Sequence, residues 1–469
     1  MQSNDTDRAG TTGLPPVTAQ LTDWLAATGV DDLPDDVRHQ VRRILVDYLA
    51  SAFAGVGSDA GTLVRNYVEQ TDSDRVATVI GTSARLSPAG AAMVNGTTAH
   101  ALDLDDGYTP GACHPAAPIC SAVLAAAEQL ESSAPEMMRA IALGYEVACR
   151  MAGASHPAQR RRGFHNTALV GTFGAMVGVA ALRSATPEQF MSAFGNAASH
   201  AGGLLSFLDD GTDLKRLHAG KAARDGLVSA ELALAGLRGP SNVLESPHGY
   251  FAAFTGGVVD IDHLVGDLGS AWRMLDTYNK PYPCCRHVHG AIDAALELRT
   301  ADGFDPARVE SVDVDTFAIA ADHDRTDVHN TLDAQMSLPY SVAVAIVHGS
   351  VEMAHFEAGG RADAAVEAIT RATTVNADPG YTASYPSNRP ARVTIRAAGR
   401  DFVGEVLQPY GEPANPMTDA DLDQKLRTYA APIVGRSSAV SIAEQVWRFG
   451  EQDLPWSSLA AAGEAQGRE

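Results

Sequence analysis

Asn95-Gly-Thr-Thr-Ala-His-Ala-Leu-Asp-Leu-Asp-Asp-Gly-Tyr-Thr-Pro-Gly-Ala-Cys-His-Pro-Ala-Ala-Pro118 holds both the packing signature and the chemistry of this chain. It begins as the tail of a helix made of small residues, which lets neighbouring helices approach closely. Asp103, Asp105 and Asp106 follow at the helix C-terminus, where the macrodipole disfavours negative charge, so stability alone does not account for them. A Gly/Pro loop then delivers Cys113 and His114 to the start of the next apolar helix. Asp103 and Asp106 share a face, so one is placed to orient a catalytic group while the other meets solvent. A solvated helix end with His114 as a cap is the structural alternative.

Outward from this stretch the pattern is helical from Val17 to about Arg238. Pro34-Asp35-Asp36 opens a helix with acids in its first turn, and Val37, Val41, Ile44, Leu45, Tyr48 and Leu49 form its apolar stripe. Ser87-Pro88 is a cap pair for the small-residue helix. Further helices are predicted over 115–131, 134–153, 167–183, 186–200 and 213–237. The character changes near residue 270. Alternation at Val309, Val312, Val314 and Thr316, and again from Arg392 to Val406, predicts strands. Helices are predicted between them at 288–300, 337–348 and 361–373, and beyond them at 419–430 and 438–449. The fold class is therefore mainly α with an inserted α+β domain. Its expected parts are an all-helical 1–268, an α+β 269–410, and 411–469 returning to the helical domain.

The formal net charge of −22 argues against nucleic acid and anionic membrane surfaces as partners. No apolar run reaches the roughly 20 residues of a spanning helix. The polar Met1–Pro16 stretch lacks the charge and hydropathy of a signal peptide, and a cytoplasmic protein is expected. The tail after Trp456 is expected to fray. Lysine occurs only at 215, 221, 280 and 425, so each one invites a question. Cysteines 113, 120, 149, 284 and 285 show no metal-like spacing; adjacent thiols chelate one ion poorly, and no metal is expected.

Three more clusters bear chemistry. His165 in Gly163-Phe-His-Asn-Thr167 precedes an apolar helix, whose dipole is expected to keep it neutral and basic near pH 7. Lys215 and His218 lie one turn apart among small residues, placing a desolvated cation for a carboxylate. Asn279-Lys-Pro-Tyr-Pro-Cys-Cys-Arg-His-Val-His-Gly290 is stiffened by two prolines at the change of character. Cations with two imidazoles and a carboxylate suit proton transfer on a small polyanionic acid.

Gly81-Thr-Ser, Ala91-Ala-Met-Val-Asn-Gly96, His100-Ala-Leu-Asp-Leu-Asp-Asp106, His114-Pro, Gly163-Phe-His165, Lys280 to His289 and Asp333-Ala-Gln-Met-Ser-Leu-Pro-Tyr340, in that order, resemble the MmgE/PrpD family. This family includes 2-methylcitrate dehydratases, cis-aconitate decarboxylases and iminodisuccinate epimerases. The resemblance spans about residues 17 to 430. It implies a homodimer with an all-helical domain and a smaller α+β lid, an active site between the two, and no metal or organic cofactor. By position it makes Asp103, His114, His165, Lys215 and Lys280 catalytic, and adds Gly107, Arg286, His289 and Tyr340 as substrate-binding. Gly107 stands where decarboxylases often carry Thr, and Cys285 where they carry a further His.

The expected activity is that of a cofactor-independent lyase on a small di- or tricarboxylic acid, by dehydration or decarboxylation. The lysines neutralise carboxylates and enolate-like charge. His114 and His165 divide the acid and base roles, and Asp103 orients an imidazole. Asp105 and Asp106 are then structural, and the Gly107–Cys113 loop sets specificity. An epimerase using the same groups is the alternative within the family, and a non-catalytic binding protein the alternative outside it.

Overall fold

The computed structural model describes residues 14–210 and 212–451, so the expectations for most of the N-terminal stretch and for the tail after Trp456 lie outside the described residues. The chain divides into two compact units. One is drawn from the segment ending at Ala101, from Asp105–Thr277, and from Asp419 onward; the other from Leu102–Leu104 and Tyr278–Thr418. No described helix is long and apolar enough to cross a membrane.

The first unit is helical: α1 (Val17–Ala27), α2 (Asp35–Gly55), α3 (Asp59–Thr71), α4 (Pro88–Ala99), α5 (Ala116–Leu130), α6 (Ala134–Ser155), α7 (Asn166–Leu182), α8 (Pro187–His200) and α9 (Leu214–Leu234). The Ser87 hydroxyl caps α4 by accepting from Gly90 N, and Ser133 and Glu136 form a capping box on α6. Helix α7 is apolar all round and buried along nearly its whole length, so other helices must surround it. It packs on α6, α5 and α9.

Small residues set the distance between α4 and α9. A Cβ on Gly220 would lie 2.1 Å from the Met93 carbonyl oxygen, and one on Gly96 2.9 Å from the Gly220 Cα. The two backbones are in direct contact, which only glycine allows at both positions. Arg216, in the first turn of α9, donates from Nε to the Ala101 carbonyl just past α4. After the second unit the chain re-enters the first as two further helices. The first, Asp419–Val434, is tied to α2 by the Lys425 ammonium donating to the buried Asp47 carboxylate at 2.6 Å.

The second unit holds α10 (His289–Arg299), β1 (Val309–Thr316), α11 (Leu338–His348), α12 (Ala364–Arg371), β2 (Thr373–Ala377), β3 (Ala391–Ala397) and β4 (Arg400–Val406). The sheet order is β2-β1-β3-β4, with β1/β2 parallel and the other pairs antiparallel. Val312, Val314, Val393 and Ile395 pack from the sheet onto Ile292, Val342 and Ile346. The alternating stretch over 392–406 is a hairpin turned by Ala398 and Gly399, both at positive φ, as a two-residue turn matching strand twist requires. The helix expected over 361–373 ends at Arg371. The β-branched Thr373-Thr374-Val375 then forms a strand on the sheet edge, an element too short and too exposed to show alternation.

Gly220→Ala inserts a methyl where two backbones touch. The expected loss is about 1–3 kcal/mol of stability, as for other overpacked interfaces. Urea unfolding of the variant beside wild type measures it, and an unchanged midpoint would contradict the close approach.

Candidate active site

Four imidazoles of the first unit converge where α4, α7 and α9 begin or end. His100 caps the C-terminus of α4, His165 precedes α7, His218 lies on α9 and His114 precedes α5. Ring centroids are 4.9 Å apart for His100–His114, 6.4 Å for His100–His165 and 5.2 Å for His165–His218. The His165 and His218 Nδ1 atoms are 3.0 Å apart, a hydrogen bond in which one ring donates and the other accepts. The buried Phe207 ring meets both edge-on.

Both rings of that pair are held neutral. His165 lies well below the ordinary imidazole value, first because of burial and then because of the charges of His218, His100, Lys215 and His114. His218 is pushed down to about 4, again chiefly by burial, then by His100 and Lys221. The neutral His165 expected from the helix dipole is present, and desolvation is the cause that dominates. Lys215 is half-buried in the first turn of α9, where the dipole does not favour a cation.

Asp105 meets an imidazole here. It is fully buried and accepts from His100 Nδ1 at 2.8 and 3.0 Å, while His114 Nδ1 lies 3.8 Å from the same group. His114 Nδ1 donates to the Asp106 carbonyl oxygen at 2.6 Å, which fixes its ring and turns Nε2 away from that bond. His100 Nε2 is buried without a hydrogen-bond partner. Asp106 accepts from Ala116 N and from the Tyr145 hydroxyl. Burial, with Asp47 and Asp105 nearby, raises its pKa well above the usual carboxylate range.

Asp103 belongs to the second unit with Lys280. The Lys280 ammonium, almost wholly buried, donates to both the Asp103 carboxylate and its carbonyl oxygen, each at 2.8 Å. Asp103 has φ 55°, a left-handed conformation that Asp tolerates better than most residues. Gln335 Nε2 donates to the Leu102 and Pro283 carbonyls and so joins the short Leu102–Leu104 segment to the proline-stiffened loop.

Four expected substrate-binding residues are otherwise engaged. Arg286 pairs with Glu412 at 2.9 Å, donates to the Tyr410 and Pro409 carbonyls, and lies over the Tyr278 ring. His289 is buried between Arg286 Nη1 and the Cys284 carbonyl. The Tyr340 hydroxyl donates to the His355 carbonyl at 2.5 Å, and its ring packs on Phe356. Gly107 is buried in a loop whose Tyr108 hydroxyl meets His263 Nε2 and whose Tyr108 and Cys113 backbones pair. That loop is largely packed interior. The signal for all four was a motif position, which does not report where a side chain's donors are used.

Among the described residues, two groups bring three donors close enough to share an ion: His100, Asp105 and His114; and Cys285, His287 and His323. Cys284 is buried in the core of its unit, and Cys285 finds two imidazoles rather than its neighbour. His100 and His323 were missed as functional candidates. His100 was legible in the five-residue spacing to Asp105 across a turn, whereas nothing local connects His323 to the Cys285 loop.

The MmgE/PrpD N-terminal domain family matches residues 19–261, and the C-terminal domain family residues 282–449. The chain belongs to the MmgE/PrpD family. It is 27% identical over 448 residues to a cis-aconitate decarboxylase-like protein of Aspergillus oryzae, covering 89% of this chain and 91% of that protein. A cis-aconitate decarboxylase of Aspergillus terreus is 31% identical over 298 residues, 60% of each chain, and that of Mus musculus 25% identical over 446 residues, 91% of this chain and 89% of its own. These similarities support a lyase-like function on a tricarboxylic acid.

The low pKa of the imidazole pair has a consequence for pH. Below about 6.5 the unfolded chain binds protons at His165 and His218 that the folded chain refuses, so stability present above pH 6.5 is lost as the pH falls toward 4. Urea unfolding at intervals from pH 7 to 4.5 reads this slope, and His218→Asn is expected to flatten it.

Proposed function

We propose that this MmgE/PrpD protein is a lyase of small di- or tricarboxylic acids, with decarboxylation of a cis-aconitate-like acid as its reaction. The observation that carries this reading is the neutral, buried His165–His218 pair beside His100, which the buried Asp105 carboxylate holds. The full-length similarity to cis-aconitate decarboxylases supports it.

Loss of carbon dioxide leaves a carbanion that delocalises into a neighbouring carboxylate as an enolate-like charge. Lys215 and Lys280 supply the cations that oppose this charge, with Asp103 holding the Lys280 ammonium in place. An imidazole that has taken a proton from solvent then delivers it to carbon. In the His165–His218 pair a proton taken up by either ring is weakly held, because burial penalises the cation, so the pair gives it up readily. His114 takes the complementary role, its ring fixed by the Asp106 carbonyl. Asp105 orients His100 and is a positioning residue. Dehydration requires the same parts, with one imidazole removing a carbon-bound proton and the other protonating the departing hydroxyl.

Proton NMR of the purified protein with cis-aconitate, 2-methylcitrate, citrate and iminodisuccinate tests the reading. Loss of carbon dioxide from cis-aconitate is the expected result. Deuterium exchange with inversion, and no loss of water or carbon dioxide, would make the protein an epimerase. His165→Ala and Lys280→Ala are each expected to lower kcat by about 10²–10⁴-fold while the far-ultraviolet circular dichroism is unchanged. Near-normal turnover in either would remove its assignment. Asp105→Asn is expected to lower kcat more than it alters KM and to shift the pH–rate profile, which a purely structural role would not do.

A further inference from the structure

Cys285 and His287 lie on the loop that follows Lys280, and His323 lies just after the short helix Ala318–Ala321. All three belong to the second unit, all are partly exposed, and their donor atoms fall within 4.8 Å of one another. Cys285 Sγ is 3.7 Å from His323 Nε2, and His287 Nδ1 is 3.3 Å from the same nitrogen.

Each contact lies within hydrogen-bonding reach, and each also matches the edge of a tetrahedron around a zinc ion. With Zn–N about 2.05 Å and Zn–S about 2.3 Å, tetrahedral angles place two nitrogens about 3.3 Å apart and sulfur about 3.6 Å from nitrogen. Both observed distances fall within about 0.2 Å of these edges.

We propose that Cys285, His287 and His323 form a binding site for a soft divalent transition metal such as zinc, with the fourth position left to water or an anion. The donor chemistry agrees. Thiolate and imidazole together select zinc and its neighbours over magnesium or calcium. The rings of Phe317 and Tyr385 flank His287 edge-on and limit its orientation.

An ion there cross-links residues 36 and 38 positions apart and fastens the loop that carries Lys280. The site needs only residues of the second unit and does not depend on that reaction.

The experiment is a titration of the purified, chelator-stripped protein with cobalt(II), followed by zinc competition and thermal unfolding. One equivalent of cobalt per chain should bind with a near-ultraviolet thiolate-to-cobalt charge-transfer band, and zinc should displace it and raise Tm. Cys285→Ser and Cys285→Ala should abolish the band, and His323→Asn should abolish binding. His114→Asn, in the other donor group, should leave the band intact. The proposal is overturned if no sulfur band appears, if the band survives loss of Cys285, or if it is lost with His114. Circular dichroism of each metal-free variant shows whether it is folded before its spectrum is scored.

Discussion

The contact between α4 and α9 at Gly96 and Gly220 is the constraint on which the first unit's site depends. It brings the C-terminus of one helix, with His100, within reach of the face of another that carries Lys215 and His218. Side chains of ordinary size would hold these backbones about 8–10 Å apart and separate the imidazoles accordingly. The apolar α7 then occupies the space beside them and presents His165 from its N-terminal end. Small residues in this fold therefore do more than fill a core; they set distances between polar groups several residues away.

Burial is the second determinant. In water these imidazoles would titrate near neutrality and repel one another once charged. Inside the helical unit desolvation keeps His165 and His218 neutral, and the fully buried Asp105 carboxylate is hydrogen-bonded to His100. Arranging neutral bases beside a buried carboxylate costs stability, and the apolar helices around them offset that cost. Elsewhere the unit treats buried charge by pairing, as with Asp47 and Lys425.

Much of this was legible in the sequence because it is local. Helix starts at Ser87 and Pro34, the alternation in β1, and the pairing of small residues with polar ends all follow from spacing along the chain. The roles of individual acids were less legible. Asp103, Asp105 and Asp106 are near neighbours in sequence, yet one receives a lysine, one a histidine, and one a helix N-terminus and a tyrosine. A turn separates their directions, and no periodicity encodes it. The partners of Arg286 and His289 were hidden for a related reason: a motif position does not report the groups a cation or imidazole meets in the fold. The Cys285–His323 contact depends on tertiary folding alone.

The left-handed backbone at Asp103 narrows what that position can become. Two unrelated demands meet on one residue: a conformation that most side chains resist, and an oxygen placed for the Lys280 ammonium. Glycine would satisfy the first and fail the second, glutamate the reverse; asparagine meets both in shape but surrenders the charge. A library of substitutions at this position should therefore be sparse in survivors even where neighbouring positions are permissive, because the backbone and the ion pair each reject what the other would accept.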